Sequence, residues 1–300
     1  MTTLKTACIA LLAAGALAAP ARSAAPVNHR AETYAVARQF MHMQYELHDM
    51  KGAKSKFYSP DFIQHNQEIK NGVLGDQDFI EARQKREPEK YLPVEQWINV
   101  IDHLLVQDKY FAIHHHVYAH PNDKGRVFMD IWRVENGKMV EHWDIIQPVY
   151  EGPLNRNTMW KDGAKAKKPA PGDPAPEAII RAYLRIGQDE GDAKRAAALY
   201  IADKFIQHSP HIADGKRALI AYFAKRAAET KPGAPKRISS VSHIVADGDL
   251  VLVTRHVMQA VGDRGSMYAD LFRVQGGKIV EHWDVIQAVP EVSVNGNSMW

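Results

Sequence analysis

The stretch Asp130–Asp144, DIWRVENGKMVEHWD, returns at Asp270–Asp284 as DLFRVQGGKIVEHWD. Each copy is two runs of strand-forming residues split by a glycine-containing turn, Asn136-Gly137 or Gly276-Gly277, the pattern of a β-hairpin. Side chains alternate along a strand, so His142 and Asp144 share one face and Glu141 and Trp143 the other. A three-residue loop, Glu135-Asn136-Gly137, would pair Val134 with Lys138 and set Asp130 opposite His142. Asp144 would then lie two residues further on that face, which Trp132 and Val140 share. A two-residue loop would turn Asp130 and Asp144 to opposite faces. The three-residue loop is the expectation here. Arg133 and Glu141 would form a diagonal ion pair on the far face.

Working outward, the whole unit recurs. Helical spacing of apolar residues covers Glu32–Leu47, a short helix spans Ala53–Tyr58, and a third covers Asp76–Arg86. Four strands follow, Val94–Val106, Tyr110–Ala119, Val127–Glu135 and Lys138–Val149. Lys161–Glu177 (KDGAKAKKPAPGDPAPE) is rich in Pro, Gly, Ala and Lys and reads as a linker. Then come helices Glu177–Gln188, Asp192–Tyr200 and Gly215–Ala228, and strands Arg237–Val245, Leu250–Ala260, Met267–Val274 and Lys278–Val289. Phe62-Ile63-Gln64-His65 matches Phe205-Ile206-Gln207-His208 at an offset of 143, and from Gly75 the offset is 140, so the first copy has three extra residues after His65. The ends also agree, Asn157-Thr158-Met159-Trp160 against Asn297-Ser298-Met299-Trp300. This is a tandem duplication. The expected organisation is a signal peptide at 1–23, units at 26–160 and 177–300, and a linker at 161–176.

Composition bounds the class. Three hundred residues, 45% hydrophobic and 24% charged, suit two soluble domains, and a net charge of +3 gives no footprint for nucleic acid. Lys5 followed by the apolar run Thr6–Ala19 and small residues reads as a cleavable export signal, too short to remain as a membrane span. The expectation is a periplasmic or secreted protein with no membrane association after processing. Cys8, the only cysteine, falls inside that signal. The mature chain would therefore have neither a disulfide nor a cysteine metal ligand.

Four histidines per copy stay in register, His65, His103, His116 and His142 with His208, His243, His256 and His282, as do Asp130 and Asp144 with Asp270 and Asp284. Core packing does not itself demand these residue types, because a buried imidazole or carboxylate needs a partner. They are the candidate acid/base groups. His116 shares its strand face with Ala112 and His114. No H-x-H or H-x-x-x-H pair recurs in both copies, so no metal is expected.

The Gln-His pairs Gln64-His65 and Gln207-His208, with the hairpins ending EHWDIIQ and EHWDVIQ, resemble the SnoaL-like aldol-condensation branch of the cystatin-like α+β fold. Nuclear transport factor two and ketosteroid isomerase share that fold. The resemblance covers nearly the whole mature chain, once per unit. It implies an α+β architecture of two tandem cones, each with three N-terminal helices on a curved, mainly antiparallel four-stranded sheet. It also implies a small apolar or aromatic carbonyl ligand and chemistry without a cofactor. Carried onto this chain, the acid/base is Asp144 or Asp284, with Asp130 or Asp270 and His116 or His256 beside it. His65 or His208 would close the mouth, and His142 and His282 belong to the same catalytic set. His103, Gln64 and Trp132, with His243, Gln207 and Phe272, would contact substrate. The first copy has Gln67 where the family usually has Pro. Ser209-Pro210 is nearer the pattern, which favours the second unit if only one is active.

Two functions follow: cofactor-free proton transfer next to a carbonyl, as in aldol cyclisation or isomerisation, or a ligand-binding module without chemistry. The isolated fold pairs through its sheets, so two units in one chain are expected to form an intrachain pseudo-dimer.

Overall fold

The computed structural model describes residues 28–119, 124–160, 165–231 and 233–300. The expected signal segment lies outside them. The first unit opens with α1 (His29–Met41), whose N-terminal amides are capped by Asn28, and α2 (Met50–Phe57), capped by Asp49. Between them α1 widens into a π-helical turn, His42–Glu46, where the Leu47 amide reaches the His42 carbonyl. The second unit repeats this in α4 (Pro176–Leu184), a π-turn at Arg185–Asp189 and α5 (Ala193–Tyr200), capped by Asp192. The third helices are α3 (Gly75–Arg86) and α6 (Lys216–Glu229).

Each sheet has five strands, not the four expected. The additional ones are β1 (Tyr58–Gln64) and β6 (Ile201–Gln207). Both are short runs containing Asp and exposed side chains, which hides their period in the sequence. The other strands are β2 (Ile98–Gln107), β3 (Tyr110–Tyr118), β4 (Arg126–Glu135) and β5 (Lys138–Pro148), then β7 (Ile238–Asp247), β8 (Leu250–Met258), β9 (Ser266–Gln275) and β10 (Lys278–Ala288). The orders are β1-β5-β4-β3-β2 and β6-β10-β9-β8-β7, antiparallel except where β1 runs parallel to β5 and β6 to β10. Pairing with β1 buries β5 in the sheet interior and brings Gln64 alongside His142.

The hairpin corrects the expected register. Glu135 pairs with Lys138 and Val134 with Met139, so the loop has two residues, Asn136 and Gly137, with φ of 50° and 71°. That is the left-handed pair a tight primed turn requires. A two-residue loop alone would send Asp130 and Asp144 apart. Instead Arg133 pairs with Glu141, leaving Val140 as a bulge. The extra residue restores the phase, and Asp130 lies opposite Asp144 rather than His142. β10 repeats the bulge, setting Asp284 opposite Asp270.

Three cores result. Helices and the concave sheet face bury Phe40, Phe57, Phe111 and Trp132 in the first unit, and Ile180, Phe205, Val253 and Phe272 in the second. The convex faces pack on each other in a core drawn from both sheets, including Leu105, Ile131, Trp143, Leu252, Leu271 and Trp283. Across this seam the Ile146 amide donates to Gln287 Oε1 and the Ile286 amide to Gln147 Oε1, both at 2.8 Å. Trp283 is wholly buried there. Trp283→Ala is expected to lower unfolding free energy by about 3–5 kcal/mol. Urea melts followed by far-ultraviolet circular dichroism should show both units losing structure in one transition.

Candidate functional site

Alternation sorts the paired histidines and aspartates onto two different faces. His142, Asp144, Asp130, Gln64 and Trp132 point into the first cone, and His282, Asp284, Asp270, Gln207 and Phe272 into the second. The remaining six histidines lie on the seam side. This overturns their expected catalytic and substrate-binding roles. His65, expected at the mouth, stacks on Trp143 at 4.7 Å and bonds Glu141 Oε1 at 2.9 Å. His208 does the same with Trp283 and Glu281. His103 packs at 4.8 Å on Trp283 of the other unit, and His243 at 4.4 Å on Trp143. His116 stacks on Trp160 and His256 on Trp300. Arg133 and Glu141 form an ion pair 2.8 Å apart on this seam face, directly opposite each other rather than diagonal as expected, because of the Val140 bulge.

Within the first cone, Gln64 orients the ring of His142. Its Nε2 donates to Asp76 Oδ1 (3.0 Å), which leaves Oε1 to accept from His142 Nδ1 (3.0 Å) and the Asn66 amide (2.9 Å). His142 Nε2 then faces Asp130 Oδ1 at 3.3 Å. The other oxygen of Asp130 meets His115 Nε2 at 2.5 Å. Asp144 Oδ2 accepts from Asn66 Nδ2 at 2.8 Å, while its Oδ1 is buried with no hydrogen-bond partner among the described residues. Asp76 is also held by the fully buried Lys54, whose Nζ lies 3.2 Å from Asp76 Oδ2, a charge contact rather than an aligned hydrogen bond.

Electrostatics divide the carboxyls. Burial would raise Asp130, but the charge and hydrogen bonds of His115 and His142 hold it below its ordinary value. Burial pushes Asp144 up to about 7, helped by Asp130 and opposed by His142 and the Asn66 hydrogen bond. Burial would depress His142, yet its bond to Asp130 and the charge of Asp144 raise it. One carboxyl is thus kept ionised and its neighbour is poised near neutrality, the separation that acid/base chemistry needs. Tyr45, its ring 5.6 Å from that of His115, is kept a neutral phenol by burial and by the nearby Asp130 and Asp76 charges.

The second cone replaces the titratable partner with a fixed charge. Arg255 stands where His115 does and grips Asp270 Oδ2 through Nε (2.9 Å) and Nη2 (2.6 Å). Burial opposes it, but Arg255 and His282 hold Asp270 down at about 2. Asp284 is again raised by burial and by Asp270. Ala197 and Lys216 replace Lys54 and Asp76, so Gln207 Nε2 is buried without a hydrogen-bond partner among the described residues.

Comparison of the copies missed His115, Asn66, Asp76 and Tyr45 because their counterparts differ. Strand parity could have found His115: it lies two residues from Ile113, which pairs with Asp130. The first cavity, about 190 Å³, is walled by Phe40, Tyr45, Phe79, Trp97, Phe128 and Trp132. The second, about 590 Å³, is walled by Tyr183, Leu184, Phe205, Leu219, Phe223 and Phe272. Asp130, His142 and Asp144 place one donor atom each within 4.8 Å of one another, as do Asp270, His282 and Asp284. His115 and Arg255 already put donors on the central carboxylates, so the first set is read as a proton network and the second as a charge-held pair.

Residues 180–282, in the second unit, match the SnoaL-like domain family, and the first unit repeats the strand order of the second, so the chain is two α+β units of one architecture. Among solved structures, the chain is similar to the proposed polyketide cyclase IdmH from Streptomyces antibioticus (22% identity, 37% of this chain and 91% of that one, TM-score 0.29). It is similar to an epoxide hydrolase of the LEH-like type from M. tuberculosis (18%, 37% and 82%, TM-score 0.31). A third similar chain is an NTF2-like protein of unknown function from Mesorhizobium loti (13%, 41% and 97%, TM-score 0.32). No curated protein matches the chain.

The raised Asp144 has a stability consequence with a definite sign. In the unfolded chain it ionises near its ordinary value and in the fold only near 7. Below the lower value both states are protonated and nothing is lost; stability falls as pH rises between the two, and the full cost persists above 7. Asp144→Asn is expected to stabilise the protein by about 4 kcal/mol at pH 8 and by less than about 1 kcal/mol at pH 4. Thermal melts at the two pH values check this.

Proposed function

We propose that the first cone carries out cofactor-free proton transfer at a carbon next to a carbonyl of a small apolar compound, the step shared by aldol cyclisation and isomerisation. The observation that carries this reading is Asp144, a buried carboxyl lining the cavity, held near 7, with one oxygen that has no hydrogen-bond partner among the described residues. Its pKa lets it take a proton from carbon and return it. Tyr45, which lines the cavity, would donate to the developing oxyanion, and the aromatic wall would keep water away. The first unit is preferred here, although sequence pattern favoured the second. His115 and His142 can each pass a proton to or from Asp130, whereas Arg255 does not release one.

Small aryl methyl ketones incubated in deuterium oxide should exchange their α-hydrogens, followed by proton nuclear magnetic resonance. Asp144→Asn is expected to slow exchange by a hundredfold or more, and Asp284→Asn to leave most of it. Full exchange in both single variants and the double variant would defeat the reading.

A second reading, ligand capture without chemistry, is favoured for the second cone by one feature. Arg237 and Arg255 stack on the same ring, Tyr268, at 5.4 and 5.3 Å, and Arg226 lines the same cavity. Such a mouth suits an organic anion with an apolar body. Titration calorimetry with 2-naphthoate should show about tenfold weaker binding in Arg237→Gln, while neutral 2-acetonaphthone should bind both proteins alike. We further propose that the chain is a pseudo-dimeric monomer with units at 26–160 and 177–300. On the character of residues 1–23 we place it in the periplasm or outside the cell.

A further inference from the structure

The two matching tails, Asn155–Trp160 and Asn295–Trp300, are exchanged between the units. Each Trp stacks on its own unit's histidine, His116 or His256, and each Met is buried in the shared core. The asparagines cross over. Asn295 Nδ2 donates to the carbonyls of Asn66 (2.7 Å) and Ile69 (2.8 Å), and Asn297 Nδ2 to those of Gln64 (2.9 Å) and the Asn71 side chain (2.9 Å). The Val294 amide donates to the Gln67 carbonyl, and Gln67 Nε2 returns a bond to the Asn297 carbonyl at 2.7 Å. His65 Nδ1 donates to the Ser298 carbonyl. The exchange is reciprocal. Asn155 Nδ2 holds the Ser209 and Ile212 carbonyls, Asn157 Nδ2 holds the Gln207 carbonyl and Asp214, and His208 Nδ1 donates to the Thr158 carbonyl.

Both tails are shaped for this grip. The residue between the two asparagines has φ of 63° (Arg156) or 75° (Gly296), and the second asparagine's amide closes onto the first one's Oδ1 at 2.9 or 2.8 Å. The Asn-x-Asn turn thereby aims both amide groups outward at the same loop. That loop is the one carrying the only side chain hydrogen-bonded to Asp144 among the described residues, Asn66, and in the other unit Ser209 beside Asp284. A loop carbonyl fixed from outside fixes the side chain on the same residue.

We infer that each unit's tail is a positioning element for the other unit's acid/base carboxyl, with Asn295 and Asn297 acting through Asn66 on Asp144, and Asn155 and Asn157 acting through Ser209 on Asp284. The two cones are therefore not independent: each is completed by a segment that ends the opposite half. This rests on the acid/base reading only for the word acid/base; the positioning of the carboxyls stands or falls alone. The groups facing Asp144 are Asp130, His142, Asp76 and Asn66, and those facing Asp284 are Asp270, His282, His211 and Ser209. None of them belongs to a tail.

The test uses the full chain and needs no substrate. Asn295→Asp keeps the size and the internal turn bond of the residue but loses the amide that holds the Asn66 and Ile69 carbonyls. Carbon-13 titration of the aspartate carboxyls is the readout. Asn295→Asp should raise the Asp144 midpoint by up to about one pH unit, the loss of one hydrogen bond to the ionised form, and leave Asp284 in place. Asn155→Asp should do the reverse. Asn66→Ala should raise Asp144 equally, and adding Asn295→Asp to it should raise it no further. A tail substitution that moves both carboxyls alike, moves neither, or adds fully to Asn66→Ala would overturn the inference. Should Asn295→Asp fold poorly, Asn297→Ala, which removes the grip on Gln64 and Asn71, is read by the same criteria.

Discussion

The structure depends on a strand that has no solvent face. In β5 and β10, between a parallel neighbour on one side and an antiparallel one on the other, alternate side chains enter a cone and a seam between sheets. His142 and Asp144 take the cone, while Glu141 and Trp143 take the seam. Burial removes water from the carboxyl of Asp144 on the cone side and, in the second unit, from the ion pair of Glu281 with Arg273 on the seam side. Only the Val140 bulge keeps the two aspartates of the hairpin in one phase. Without that single extra residue, the tight turn at Asn136-Gly137 would have divided the proton network between two faces.

The seam explains most of what the two copies share. Trp143 lies between His65 of its own unit and His243 of the other, and Trp283 between His208 and His103. Gln147 and Gln287 exchange amide bonds across it. A surface that meets its own duplicate constrains both copies at once, because any change must fit two environments. The cones are under no such mutual constraint, and there the units have diverged: His115 against Arg255, Lys54 and Asp76 against Ala197 and Lys216.

That divergence has chemical consequences. Arg255 fixes Asp270 as an anion, whereas His115 leaves Asp130 in a network whose members can exchange protons. Gln64 is saturated on both ends by Asp76 and His142, and Gln207 keeps one idle amide. The same scaffold thus holds one site arranged for titration and one arranged around a permanent charge, joined through the exchanged tails.

Much of this architecture was legible in the chain. The duplicated hairpin, the helix signals and the strand periods fixed two α+β units, and period-two geometry put His142 beside Asp144, because local pattern and short-range turns decide those features. The short, polar β1 and β6 escaped, since their strand character comes from pairing with β5 and β10 rather than from their own residues. Comparing the copies selected shared residues, and so chose seam histidines such as His65 and His116 while passing over His115, Asn66 and Tyr45. Which face of a doubly buried strand looks into a hollow, and which into a second sheet, is not written in its alternation. Only the docking of one half on the other, burying hydrophobic area that neither half could cover alone, decided that.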